Sequence, residues 1–166
     1  MVLPSRSFDA IVPGYDARLV RGILAMRRVG PVVLARTVDD AGQPREILQG
    51  FVSAAGDRGT GFALLPVDED GVVRRYDERL GEDGARLPTL VGTLASRLGT
   101  EPQDGLLDFS RRVMWRVVPM RKVLAWAHGG ERTRLAQAFQ GKVVLIGSTL
   151  SLVDLHRVPV ATDARP

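Results

Sequence analysis

Residues 143–146, Val-Val-Leu-Ile, form an unbroken apolar run that is β-branched at three of its four positions. Gly141 and Gly147 bracket it, and glycine weakens a strand interior. A short apolar run of this kind reads as a strand covered on both faces, as in a parallel sheet. It gives way at once to Gly147, Ser148 and Thr149. Small and hydroxyl-bearing residues suit a strand's carboxyl end where backbone must approach another group closely. Asp154 and His156 follow before Pro159 punctuates the exit. The expected fold is therefore α/β: a mixed, largely parallel sheet with helices packed on it, including one β-hairpin, with residues 142–147 as the central strand.

The rest of the chain supplies partners for that strand. Residues 8–12 read as a short strand and Pro13-Gly14 as a turn. Asp16 is placed as the N-cap of a helix to residue 28, with Leu19, Val20, Ile23, Leu24 and Met26 on its apolar face. Gly22 inside that helix costs about 1 kcal/mol relative to Ala and is expected to permit close packing. Gly30-Pro31 stops it, and residues 32–35 form a second buried strand in a βαβ-like unit. Residues 37–60 read mostly as loop, with brief pairing over 47–52. Residues 61–67 and 72–76 flank Asp68-Glu69-Asp70-Gly71, a hairpin signal. The acidic turn lacks the twelve-residue spacing and terminal Glu of a calcium loop, so a solvated turn is expected.

Residues 81–86 are a further turn. Pro88 sits at an N1-like position of a helix carrying Leu90, Val91, Leu94 and Leu98 and ended by Gly99. Residues 106–109 and 113–118 read as strand pieces. Pro119 opens a helix bearing Met120, Val123, Leu124 and Ala127, closed by Gly129-Gly130, and a last helix over 131–139 packs Leu135 and Phe139. No composition break, repeat or linker divides the chain, which reads as one domain over residues 1–166.

Composition narrows the function. Cysteine is absent, which removes disulfides, thiolate metal sites and cysteine catalysis. The net charge is +4, but basic residues are scattered and accompanied by acids, and aromatics are only 5%. A nucleic-acid reader needs a basic stripe and an aromatic platform, so no nucleic-acid partner is expected. No window approaches the ~20 apolar residues of a spanning helix, and no signal peptide stands at the start.

The candidate ligand-binding residues are Gly147, Ser148, Thr149, Asp154 and His156. Backbone N–H groups beyond a strand can hold an anion, and hydroxyls add hydrogen bonds. In an extended segment Asp154 and His156, two apart, point to one face, as a weak metal pair or an acid–imidazole pair would require. Two ligands rarely make a metal site, and the plainer reading has Asp154 capping a turn with His156 on the surface. A hydrolase using Ser148 lacks the Gly-x-Ser-x-Gly elbow, and three triad members within nine residues would be atypical. No phosphate-binding glycine motif follows a strand, and no cofactor is expected. Trp115 and Trp126 read as core, and His128 as a helix C-terminal residue favoured by the dipole. The arginine pairs at 27/28, 74/75 and 111/112 suit an acidic ligand or lipid headgroups, with solvated faces the simpler account.

Four segments together resemble one family. Phe139 to Thr149, then Asp154 to Pro159, resemble the terminal signature of CHASE2 sensor domains, with Val158-Pro159 in place of the more usual Thr-Pro. Asp70-Gly71-Val72-Val73-Arg74-Arg75-Tyr76 resembles the family's hairpin, Leu87-Pro88-Thr89-Leu90 its helix start, and residues 15–19 through 32–35 its helix–strand unit. The resemblance spans about residues 15–159. It implies an extracytoplasmic sensory module of a bacterial membrane receptor coupled to an adenylate or guanylate cyclase, a histidine kinase or a Ser/Thr kinase. Family members usually carry flanking transmembrane helices and an output domain, so a partial module with an unpaired sheet edge is expected here. The implied action is a binding-linked rearrangement in a homodimeric receptor, driven by a small-molecule or ionic signal, without catalysis by this chain. Two other classes stay open: a small α/β enzyme or nucleotide- or anion-binding protein using the loop after Gly147, and a ligand-free scaffold that only dimerises its receptor.

Overall fold

The first helix, α1 (Tyr15–Arg27), buries Ile23 and packs Leu19 and Val20 beside it, whereas Leu24 and Met26, expected on the same apolar face, are exposed. Its start differs in detail from the expectation. Gly14 occupies the N-cap and Asp16 lies in the first turn. The Asp16 carboxylate instead accepts from the Phe8 amide at 3.3 Å, while the Asp16 amide donates to Asp9 at 2.9 Å. That exchange ties the preceding turn down onto the helix. Residues 8–12 accordingly form turns rather than a strand, with Ile11 and Val12 amides donating to the Phe8 carbonyl.

The computed structural model describes residues 5–39, 41–81, 87–110, 116–148 and 158–159. The chain divides into two units, one of residues 1–109 with 154–166 and one of residues 110–153. In the first unit, β1 (Leu34–Arg36) leads to α2 (Gln49–Ala55) and then to β2 (Thr60–Phe62). β1 and β2 pair in parallel, Leu34 opposite Thr60 and Arg36 opposite Phe62. Parallel strands need a crossover, and α2 supplies it. This helix falls in the stretch expected to be loop. Ile47, Phe51, Ala54 and Ala55 recur at helical spacing and are all buried. They pack with Ile23 as the core, and Leu19, Val20, Val32, Leu34, Leu48 and Val52 close around it. Two short helices therefore hold their apolar stripes against each other and against one strand pair.

The remaining strands are short and antiparallel. β3 (Arg75–Tyr76) and β4 (Arg79–Leu80) precede β5 (Leu87–Pro88), α3 (Leu90–Arg97) and β6 (Gly105–Leu106). β3 pairs with β6 and β4 with β5, both antiparallel. The sheet is thus not largely parallel. Among the described residues there are three two-stranded sheets, and only the pair with a helical crossover is parallel. Pro88 belongs to β5 rather than to the first helical turn. Thr89 caps α3 instead, its hydroxyl accepting from the Gly92 amide at 3.1 Å. Gly99, at φ 77°, follows the helix as expected.

The turn at residues 68–71 is present. The Asp68 amide donates to the Val72 carbonyl at 3.0 Å, the Gly71 amide donates to the Asp68 carbonyl at 2.8 Å, and Gly71 has φ 78°. The segments flanking it do not pair as a hairpin ladder, because β2 is taken by β1 and β3 by β6.

In the second unit α4 (Met120–His128) follows Pro119 and packs against α5 (Arg132–Phe139). Both helices, the Pro119 start and the glycine stop at 129–130 agree with the sequence reading. The run at 143–146 does not. Val143, Val144, Leu145 and Ile146 are 47–65% exposed, and no strand is formed there. The central-strand reading fails because an apolar run becomes a sheet interior only with a strand on each side. Among the described residues none pairs with it.

Candidate functional site

The residues proposed from sequence are only partly within the described structure. Gly147 and Ser148 end the exposed extended segment after α5. The backbone there leaves open space at Gly147, where an added Cβ would meet nothing within 4 Å. Close backbone approach is therefore not why a glycine stands at 147. Thr149, Asp154 and His156 lie outside the described residues. The structure thus places two of the five candidates, both exposed. Trp115 likewise lies outside the described residues, whereas Trp126 is half-buried in α4 and His128 ends that helix.

The acidic turn is where charge is most organised. The Arg74 guanidinium grips Asp70 through two nitrogens, at 2.8 and 2.6 Å, and reaches Asp68 at 3.0 Å. Arg75 adds an ion pair with Asp68 at 3.3 Å. Bidentate pairing of this type is geometrically specific. The Arg74 hydrogen bonds hold the Asp70 carboxyl down at about 2, and the same contacts push the Arg74 guanidinium upward. The carboxylates that suggested a calcium loop are therefore occupied by arginine. No cluster of three or more His, Asp or Glu side chains suited to a metal ion occurs among the described residues. Val73, beside this turn, is fully buried and anchors it.

A second arrangement gave little sign of itself in the sequence. Arg36 stands opposite Phe62 at the carboxyl end of the parallel pair, and Phe62 bridges to Thr89 at the start of α3. The guanidinium lies 5.1 Å from the Phe62 ring centroid, a cation–π distance. Its Nε is buried without a hydrogen-bond partner, as is the Tyr76 hydroxyl. Phe62 and Thr89 are both about 3% exposed, so this row across the sheet is well fixed. The signal for it was an arginine directly after an apolar run, which reads more simply as a strand end.

Two other arginines serve structure. Arg27 donates to the Ala54 carbonyl at 3.0 Å, satisfying the C-terminal end of α2, and packs over Gly56, where an added Cβ would lie 2.5 Å from its Nη2. Arg97 donates to the Asp57 carbonyl at 2.7 Å. The pair 27/28 is therefore split in role: both are exposed, and Arg27 also bonds across to α2.

Among the described residues no helix is long and apolar enough to cross a membrane. A family model described as the CHASE2 domain matches residues 3–166, essentially the whole sequence. No curated protein and no solved structure matches the chain.

Proposed function

The chain belongs to the CHASE2 family, and from that membership we propose that it is the extracytoplasmic signal-sensing module of a bacterial transmembrane receptor. CHASE2 domains are sensory domains of bacterial receptors, extracytoplasmic, and not catalytic. The observation that carries the reading is the extent of the match, residues 3–166, wider than the four motifs that first suggested it. The signal is a small molecule or ion. Its proposed contacts are the backbone amides and hydroxyls of Gly147, Ser148 and Thr149 with the side chains of Asp154 and His156. In the intact receptor the module works as a homodimer and passes its state through membrane helices to a cyclase or kinase output domain.

The test is a thermal-shift screen of the purified chain against small carboxylates, phosphates, amines and divalent cations. A true ligand at about a hundred times its Kd raises stability by about 2.7 kcal/mol, which reads as several degrees in Tm. The expected result is one saturable shift that Ser148→Ala with His156→Gln abolishes. A saturable shift untouched by that double variant would move the site elsewhere and leave the sensor reading intact. Ester hydrolysis by the chain, lost on Ser148→Ala alone, would replace the sensor reading with the small-enzyme one.

A further inference from the structure

The outer face of α1 is unusually basic and only partly polar. Arg18, Arg21 and Arg28 lie on the side of the helix opposite the buried Ile23, with Ala25 between them. All three arginines are exposed. Arg18 and Arg21 donate back to carbonyls of their own helix turn, Gly14 and Pro13 for Arg18 and Ala17 for Arg21. Among the described residues no carboxylate pairs with any of the three, and Asp16, the one acid in the first turn, is occupied by the Phe8 amide. The contrast with Arg74 and Arg75, both neutralised by aspartates, is direct.

Apolar side chains border this cationic stripe. Leu24 borders it on one side at 42% exposed, and Val29, just beyond the helix end, on the other at 83% exposed. The other face of α1 is fully used, since Leu19, Val20 and Ile23 pack into the core against α2. The outer face is therefore a fixed platform and not a stripe waiting for its own core.

We propose that this face of α1 docks on an anionic lipid surface, its three arginines at the headgroups and Leu24 and Val29 at the acyl boundary. A wholly electrostatic partner such as a nucleic acid would explain the arginines but leave the exposed leucine and valine without a role. A lipid interface uses both, because cations are drawn to anionic headgroups while apolar side chains and arginine stems enter the boundary layer. Net positive charge on the whole chain acts in the same direction. The proposal rests on the geometry of α1 and is independent of where the signal binds.

The test is co-sedimentation of the purified chain with vesicles of phosphatidylcholine alone and of phosphatidylcholine with about one-third phosphatidylglycerol. Binding is expected only to the anionic vesicles and is expected to fall steeply as salt rises from about 0.05 to 0.5 M. Each basic residue near such a surface contributes about fivefold, so Arg18→Gln with Arg21→Gln and Arg28→Gln should lower the partition coefficient by about a hundredfold. Leu24→Gln with Val29→Ser should weaken binding severalfold while leaving its salt dependence unchanged. All five positions are exposed, so the far-ultraviolet dichroism and Tm of both variants should match the parent and exclude unfolding as the cause. Equal binding to uncharged vesicles, or undiminished binding by the triple arginine variant, would overturn the proposal. So would retention on duplex DNA that needs the three arginines but is indifferent to Leu24 and Val29.

Discussion

Gly22 and Gly61 look alike as glycines in regular structure, yet their surroundings demand opposite outcomes from the same substitution. The sequence reading assigned Gly22 to close packing. In the structure a Cβ there would meet nothing within 4 Å. Gly22→Ala is thus expected to stabilise the chain by about 0.4–1 kcal/mol, through helix propensity and a less entropic unfolded state. At Gly61 a Cβ would lie 2.7 Å from the Leu90 Cα and from the Thr89 carbonyl oxygen. Those are backbone atoms, which cannot swing aside, so Gly61→Ala should cost about 1–3 kcal/mol. Urea denaturation of both variants checks the pair, and the same sign for both would contradict the placement of one of them.

The Asp70–Arg74 pair gives a pH signature at the same scale. The folded Asp70 carboxyl sits at about 2, below its ordinary range, because the Arg74 guanidinium hydrogen-bonds its ionised form. A depressed carboxyl contributes stability that is complete above the unfolded value near pH 4 and is lost as pH falls towards 2. The Tm gap between the parent and Asp70→Asn should accordingly be constant above about pH 4 and close between about pH 4 and 2. Both groups are solvent-facing, so added salt should narrow the gap as well. A gap that widened on acidification would disprove the pairing.

At the level of elements, what the sequence disclosed depended on how each element is stabilised. α1, α4 and α5 were legible because each carries an apolar stripe between clear stops, Gly30-Pro31 for α1 and Gly129-Gly130 for α4. α2 was not. It has seven residues, no capping side chain, and a stripe that begins before the helix at Ile47. An isolated helix of that length does not form in water, and tertiary packing sustains this one. Phe51, fully buried between α1 and β1, is where that dependence concentrates. Phe51→Ala should therefore cost about 3–5 kcal/mol. Thr89→Ala, which removes the N-cap of α3 together with the hydroxyl's hydrogen bond to the Glu78 carbonyl, should cost about 1–3 kcal/mol. A small effect at Phe51 in chemical denaturation would mean that α2 is not the keystone of the first unit. The antiparallel pairs β3–β6 and β4–β5 were illegible for a related reason. Each is two residues long, too short to show alternation, and is held in place by the loops it joins.

For the molecule as a whole, family membership was legible while the architecture around the most telling motif was not. Four motifs in order pointed to CHASE2, and the family match runs over residues 3–166. Motif order survives without any statement about burial, whereas the central-strand reading of residues 143–146 needed neighbours that a linear sequence does not name. The candidate site inherited that difficulty, because Gly147 and Ser148 were chosen as the carboxyl end of a sheet interior and stand in solvent. An exposed, uncharged, β-branched run has a physical consequence of its own. It is a template for pairing with other chains, and such segments drive aggregation. Val144 is 47% exposed, so Val144→Lys should leave Tm within about a degree, as surface substitutions do. The same change should raise the concentration at which the chain stays monodisperse in light scattering, since a central lysine breaks the aggregation-prone window. A buried central strand would respond in the opposite way, losing several kcal/mol to an unpaired buried charge and precipitating sooner. Thermal melts and scattering on this one variant therefore decide whether the motif that identifies the family is a surface segment, as the structure has it, or the interior strand its composition suggests.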